Sequence, residues 1–383
     1  MLMKKMFFVI AGAVFCLFSA IAEDGPSHEC TSWMIFSDLT KNNTNILHKS
    51  RDSSSKNVTV LSSPAGAARK WIGLGSAKDN KIYVNMGMNV SGLAGVMNSG
   101  EKCIDNGKNK NAKTTPEILR HILENCDTAA QAVSELKKLL KAKDYWHKGS
   151  GSIFFFCDTK EGYICENTAN FISVQRYEEK YALRANSWHN PGMEFWAANT
   201  PQAYINNSIR QFIVLTELNK AYRTRGKITV QDSLNLTRIH ETPKNDMNLT
   251  RSICFKHTNS SSSFVIDRNY PDVLSTGWLC VGPPRNTVCI PVPVCVEKLD
   301  PEIAGLDFYR AARKDFDKRG FASPLPEKFT AFEKMAFEQY GKALKQAEIL
   351  LKKGQKAQAV KVLNTQAVQI LKEAAKVLDI PEK

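Results

Sequence analysis

The chain has 383 residues, 43% of them hydrophobic, and a formal net charge of +14 from 52 Lys and Arg against 38 Asp and Glu. That length supports one large core or two smaller ones, and the positive excess draws anionic surfaces or substrates. The basic residues are spread along the chain rather than grouped with aromatics, which argues against nucleic acid as the partner; with no CxxC, no HExxH and 7 scattered histidines, zinc-site spacing is missing as well.

In chain order, Lys4 and Lys5 precede an apolar run, Met6 to Ile21, that closes with the small-x-small pattern Ala20-Ile21-Ala22. Residues 1–22 therefore read as a secretion signal. The run is short for a transmembrane helix, and Phe15 before Cys16 is too bulky for a lipoprotein cleavage site. A periplasmic or secreted protein without stable membrane insertion is expected. Residues 23–29 (EDGPSHE) are polar and acidic and read as a propeptide, so that the folded domain, residues 30–296, begins at Cys30 with CTSWMIFSDLT.

From Thr31 to about Asn98, β-prone runs (TSWMIF, NILHK, NVTVL, KIYVNMG, LAGVM) alternate with Gly, Asn and Ser turns. Helices are predicted over Thr115 to Asn125 and Thr128 to Lys141. Strands return at Ser152 to Cys157, Gly162 to Glu166, Phe171 to Gln175 and Tyr181 to Ala185. A helix from Ala203 to Tyr222 and another near Val230 follow, then strands at Ser263 to Asp267, Gly277 to Val281 and Val288 to Ile290. Strand blocks separated by helical pairs predict two packed sheets with helices outside. Residues 297–383 change to a Lys, Glu, Ala and Gln rich extension with helical apolar spacing in Phe332 to Leu351 and Ala357 to Leu378, a hairpin divided at Gly354.

Of the 10 cysteines, Cys16 leaves with the signal, and export predicts that most of the others form disulfides. Their number after export is odd, and Cys30 is the candidate free thiol. A chain starting at Cys30 would carry nucleophile and base on one residue, because a free α-amine has a pKa of about 7.7–8 and accepts the thiol proton near neutral pH. That state requires cleavage between Glu29 and Cys30, by attack of the Cys30 sulfur on the Glu29 carbonyl and hydrolysis of the resulting ester.

Five segments follow Cys30 in a telling order: His48-Lys49-Ser50-Arg51-Asp52, Met86 to Gly100 (MGMNVSGLAGVMNSG), Gly151 to Gly192, Asn206 to Leu215 (NNSIRQFIVL), and His257 to Pro284. From Cys30 to about Pro293 the chain resembles the N-terminal-nucleophile hydrolases. The similarity lies in the cysteine branch of choloylglycine hydrolases, penicillin V acylases and acyl-CoA:6-aminopenicillanic acid acyltransferases, and is greatest with the last. The resemblance implies an α+β, four-layer αββα sandwich, here with a C-terminal helical hairpin, and no cofactor or metal. It implies that Asp52 holds the cysteine amine, that Asn98 helps build the oxyanion hole, that Asn186 bonds near the nucleophile, and that Arg210 supports Asp52 and Cys30. Lys49 takes the place where bile-salt hydrolases carry Arg, Arg51 is a second candidate cationic contact to substrate, and His189 is expected at a loop or pocket wall. Ser50 stands where the family signature has Asn.

The expected function is an exported, self-processing amidohydrolase or acyltransferase that cleaves a linear, non-peptide C–N amide through an acyl-thioester on Cys30. Its partner would be a small-molecule amide, an acylated amine or amino acid, with homo-oligomerisation open. The alternatives are an exported dipeptidase of the same superfamily, and a non-enzymatic envelope-binding protein with Cys30 in a disulfide.

Overall fold

The computed structural model describes residues 30–78, 81–105, 109, 111–146, 149–198, 201–240, 252–296, 299, 305–320 and 322–381. The expected signal, the heptapeptide 23–29 and hence Glu29 lie outside the described residues.

Among the described residues, thirteen strands form two antiparallel sheets. The first contains β1 (Thr31–Ile35), β2 (Thr44–Asp52), β10 (Tyr181–Arg184), β11 (Thr258–Asp267), β12 (Thr276–Val281) and β13 (Cys289–Pro293), in the order β10-β1-β2-β11-β12-β13. The second contains β3 (Thr59–Ser62), β4 (Trp71–Lys78), β5 (Lys81–Asn89), β6 (Ala94–Lys102), β7 (Ser150–Cys157), β8 (Gly162–Asn167) and β9 (Ile172–Tyr177), in sequential order.

Strands buried on both faces need apolar residues at successive positions, and the pleat sends them to different layers. On β7, Ile153 and Phe155 enter the core that Met34, Leu47 and Phe264 of the first sheet also line. Phe154 and Phe156 point the other way, under helices α1 (Thr115–Asn125) and α2 (Ala129–Lys141), against Ile118, Leu119 and Leu136. The opposite outer layer is α3 (Pro201–Arg225) with α4 (Val230–Leu236), where Ile213, Val214 and Leu218 cover Trp33, Ile35 and Ile46. The result is the αββα sandwich.

The Gly-rich stretch of β5 and β6 has a packing reason. A Cβ on Gly87 would lie 2.8 Å from Leu123 Cδ1, and one on Gly95 2.7 Å from Leu119 Cδ1, so both glycines let α1 press onto the sheet. Asn89 locks the same corner: it accepts from Ser91 and Leu93 N–H and donates to the carbonyls of Leu123 and Cys126 at the end of α1.

Three further helices follow, α5 (Asp307–Arg319), α6 (Glu327–Lys352) and α7 (Lys356–Val377). α6 and α7 form the expected hairpin, turning at Gly354 with φ 74°, and both pack on β13. Phe332, Tyr340, Leu363 and Ile370 extend the main core, and Phe337 stacks on Trp278 at 4.0 Å. No described helix is long and apolar enough to cross a membrane.

The structure corrects three expectations. β4 was not anticipated, because WIGLGSAK is rich in small residues and lacks a β-branched run. Nor was α5, where charges at more than half the positions mask the buried stripe of Phe308 and Ala312. Most expected disulfides are not formed: Cys280 and Cys289, opposite one another on β12 and β13, form the one disulfide among the described residues, and Cys30, Cys126, Cys157, Cys165 and Cys254 are buried free thiols. Those buried thiols fill core positions as small hydrophobes.

Candidate active site

Cys30 immediately precedes β1 and is held at several atoms. Its backbone N–H donates to Asn186 Oδ1 at 2.7 Å, and its carbonyl accepts from Arg210 Nη1 at 2.9 Å. Arg210 also donates to Thr31 Oγ1 at 3.1 Å and, through Nη2, to Asn186 Oδ1 at 3.0 Å and to Asn207 Oδ1. Asn207 and Arg210 are three residues apart on α3, and so share the face turned to the sheet. Asn207 donates in turn to Ser187 Oγ at 2.7 Å, and Asn186 donates to the Ser99 carbonyl on β6 at 2.6 Å, tying the two sheets together beside Cys30. A guanidinium only 1% exposed is costly unless its donors are used; here four acceptors take Nη1 and Nη2, while Nε is without a partner.

Lys49 reaches across from β2, fully buried. Its ammonium donates to the Met97 carbonyl at 2.6 Å and Asn98 Oδ1 at 2.8 Å. Burial holds its pKa below the usual lysine range, against the charges of Cys30 and Asp52, which raise it. Two of its three ammonium donors are thus engaged. Arg51, half-buried on the same strand, is different: two of its five donors make long bonds to neutral groups, Asn259 Oδ1 at 3.4 Å and Ser53 Oγ at 3.3 Å. Asp52 ends the strand, with its carbonyl 4.0 Å from Cys30 Sγ and its carboxylate accepting from Thr258 Oγ1 on β11.

Cys30, Lys49, Arg51 and Asp52 line a cavity of about 390 Å³ together with Asn85, Met97, Pro116 and Trp146. Tertiary structure thus gathers Cys30, Lys49, Arg51, Asp52, Asn98, Asn186 and Arg210, drawn from β2, β6, α3 and the ends of β1 and β10.

Asn98 and the loop residue His189 are among the expected site residues that do not line the cavity. Asn98 is entirely buried and its amide donates to the Ala185 carbonyl at 3.0 Å and the Arg184 carbonyl at 3.4 Å, while its oxygen accepts from Ser32 and Lys49. It positions Lys49; its amide is turned toward β10 and not offered to an oxyanion. His189 is exposed beside α3, with Nε2 at 3.0 Å from Gln211 Nε2, and is absent from the cavity wall. Thr258, Asn207 and Asn85 were not anticipated. Asn207 alone had a signal, its i−3 spacing to Arg210.

The thiols differ in reactivity. Burial pushes Cys103 and Cys126 up to about 11 and Cys254 up to about 12, and raises Cys157 and Cys165 as well. Little thiolate exists at those positions near neutral pH. Iodoacetamide at pH 7.5 is therefore expected to alkylate Cys30 ahead of all five, with half-buried Cys295 as the remaining competitor. Peptide mapping over time checks this; Cys103 or Cys126 reacting as fast as Cys30 would contradict it.

Two antiparallel sheets packed face to face between helical layers are the architecture of the N-terminal-nucleophile hydrolases. The sequence profile of the acyl-coenzyme A:6-aminopenicillanic acid acyl-transferase family matches residues 36–269, more than half of the chain, and the protein belongs to that family. Among solved structures the chain is similar to the conjugated bile acid hydrolase of Clostridium perfringens, at 10% identity and TM-score 0.46 over 71% of this chain and 95% of that one. It is also similar to penicillin V acylase from Agrobacterium tumefaciens (14%, TM-score 0.43, 69% and 86%) and to the Caenorhabditis elegans ortholog of N-acylethanolamine-hydrolyzing acid amidase (15%, TM-score 0.41, 63% and 94%). No curated protein matches the chain. The family supports an acyltransferase.

Proposed function

We propose that the protein is an exported, self-processing amidohydrolase whose Cys30 attacks a linear, non-peptide C–N amide. The observation that carries this is the setting of Cys30: its backbone N–H and carbonyl are anchored by Asn186 and Arg210, its sulfur lies 4.0 Å from the Asp52 carbonyl, and the residue lines a cavity. Cys30 is also a free thiol, which removes the premise of the binding-protein alternative.

Cleavage of the Glu29–Cys30 bond turns the amide N–H held by Asn186 into an α-amine at the same place. The amine takes the thiol proton, and sulfur adds to the substrate carbonyl carbon. The C–N bond then breaks as the ammonium returns the proton to the leaving nitrogen, giving an acyl-thioester and a free amine. Water, deprotonated by the α-amine, cleaves the thioester to the acid and restores the thiol. Water is the acceptor of choice, since acyl-CoA is not expected outside the cytoplasm. Arg51, with donors in reserve, contacts an anionic part of the substrate. Asp52, through its backbone carbonyl near the sulfur, and Arg210, through the main chain, position the nucleophile.

Intact mass and N-terminal sequencing of the exported protein beside Cys30→Ala test the reading. Wild type is expected to begin at Cys30 and the variant to keep EDGPSHE. Both retaining the heptapeptide would refute self-processing.

A further inference from the structure

Asn85 of β5 is an anomaly within the cavity wall. It is only 6% exposed, and it lines the same space as Cys30. Its carboxamide oxygen has no hydrogen-bond partner, and its amine reaches only the thioether of Met97 at 3.8 Å, a weak acceptor. The buried Asn89, Asn98, Asn186 and Asn190 use both ends of their amides; Asn167 and Asn286 also have an oxygen without a partner, but neither lines the cavity. A buried amide without partners is destabilising, and an apolar side chain of similar size would remove the cost. Its neighbours in the wall, Met97, Pro116 and Trp146, present apolar surface that such a side chain would join.

We propose that Asn85 is a specificity-determining residue for the amidohydrolase reading above, on which this inference rests. Its carboxamide oxygen accepts from a hydroxyl or N–H on the part of the substrate lodged against Met97 and Trp146. Substrates carrying that donor are selected over plain-hydrocarbon analogues, because a hydrocarbon leaves the orphan oxygen unpaired in the closed complex. Asn85 forms no bond to Cys30 or its anchoring groups, so it acts on binding and leaves the thiol chemistry alone.

The probes are N-octanoylglycine and the same amide with one hydroxyl moved stepwise along the octanoyl chain or placed on the amine side. They are titrated against Cys30→Ala protein with Asn85 or with Asn85→Leu, produced from residue 30 onward because the uncleaved variant keeps EDGPSHE. With Asn85 in place, one hydroxyl position is expected to tighten binding about 10-fold over the parent; Asn85→Leu abolishes that preference. In the protein with Cys30 intact, Asn85→Leu raises KM for the preferred hydroxylated amide and leaves kcat within about 2-fold. Its melting temperature rises by about 2 °C as the orphan oxygen disappears. A fall in melting temperature would mark Asn85 as structural and overturn the proposal. So would equal binding, or no binding, of every hydroxylated probe when Asn85 is present. Failure of the hydrolase reading looks different: wild type turns over no amide although the Asn85-dependent binding preference persists.

Discussion

Cys30→Ala is expected to lose amide turnover by about 10⁴-fold or more, the scale on which removal of a covalent nucleophile acts, while remaining folded. The substitution deletes only the sulfur, although on the self-processing reading the variant also keeps the heptapeptide that wild type sheds; the backbone bonds to Asn186 and Arg210 survive. Lys49 keeps the Met97 carbonyl and Asn98 Oδ1. It loses the sulfur, whose charge helps hold its pKa up against burial, so in the variant that pKa falls further. The sign of the stability effect follows. Where the folded pKa lies below the ordinary lysine value, the unfolded chain binds a proton that the native chain does not, and stability rises with pH between the two values. Below the folded value the cost of burying the charge is carried in full. Urea midpoints across pH should therefore show Cys30→Ala weakest relative to wild type on the acid side of that window, with Lys49→Met flattening the difference. Turnover within 10-fold of wild type in the alanine variant would dismiss Cys30 as the nucleophile.

Glu333→Leu is expected to cost about 3–5 kcal/mol, because it strands a buried guanidinium. Arg238, after α4, meets Glu333 of α6 in a two-pronged pair of 2.7 and 2.5 Å, with side chains 7% and 6% exposed. Glu333 also accepts from Cys289 N–H at 2.8 Å, and Arg238 Nε donates to the Pro284 carbonyl at 2.8 Å. The pair thus fastens the C-terminal hairpin to β13. Arg238→Met combined with Glu333→Leu should recover most but not all of the loss. The two charges leave together, yet the Cys289 N–H and Pro284 carbonyl remain without partners. Denaturant titration of the single and double variants measures the coupling; a Glu333→Leu midpoint equal to wild type would show that the hairpin is held by apolar packing alone.

Local pattern determined much of this protein. Alternating and continuous apolar runs specified most strands, helical spacing specified α1 to α4 and the terminal hairpin, and the order of motifs after Cys30 pointed to the αββα sandwich. These signals are short-range, set by the period of the pleat and of the helix, and they persist in the bare chain. They fail where composition hides them, as in β4 with its small residues and in charge-rich α5.

The use of each buried polar group was decided only by tertiary structure, because a hydrogen-bonding partner is chosen by what arrives on the facing element. Arg210 reads as a solvated helix residue until α3 lays it against Cys30 and Asn186. Asn98 and Asn85 are both asparagines of the second sheet, yet β10 engages the amide of one, while the cavity leaves the oxygen of the other unpaired. Cysteine count and export predicted disulfides, but pairing requires two thiols to meet, and in the folded chain Cys280 and Cys289 do so across a ladder while the core absorbs the others. Period belongs to the sequence; the partner of a buried polar atom, and with it the chemistry of the site, belongs to the packing.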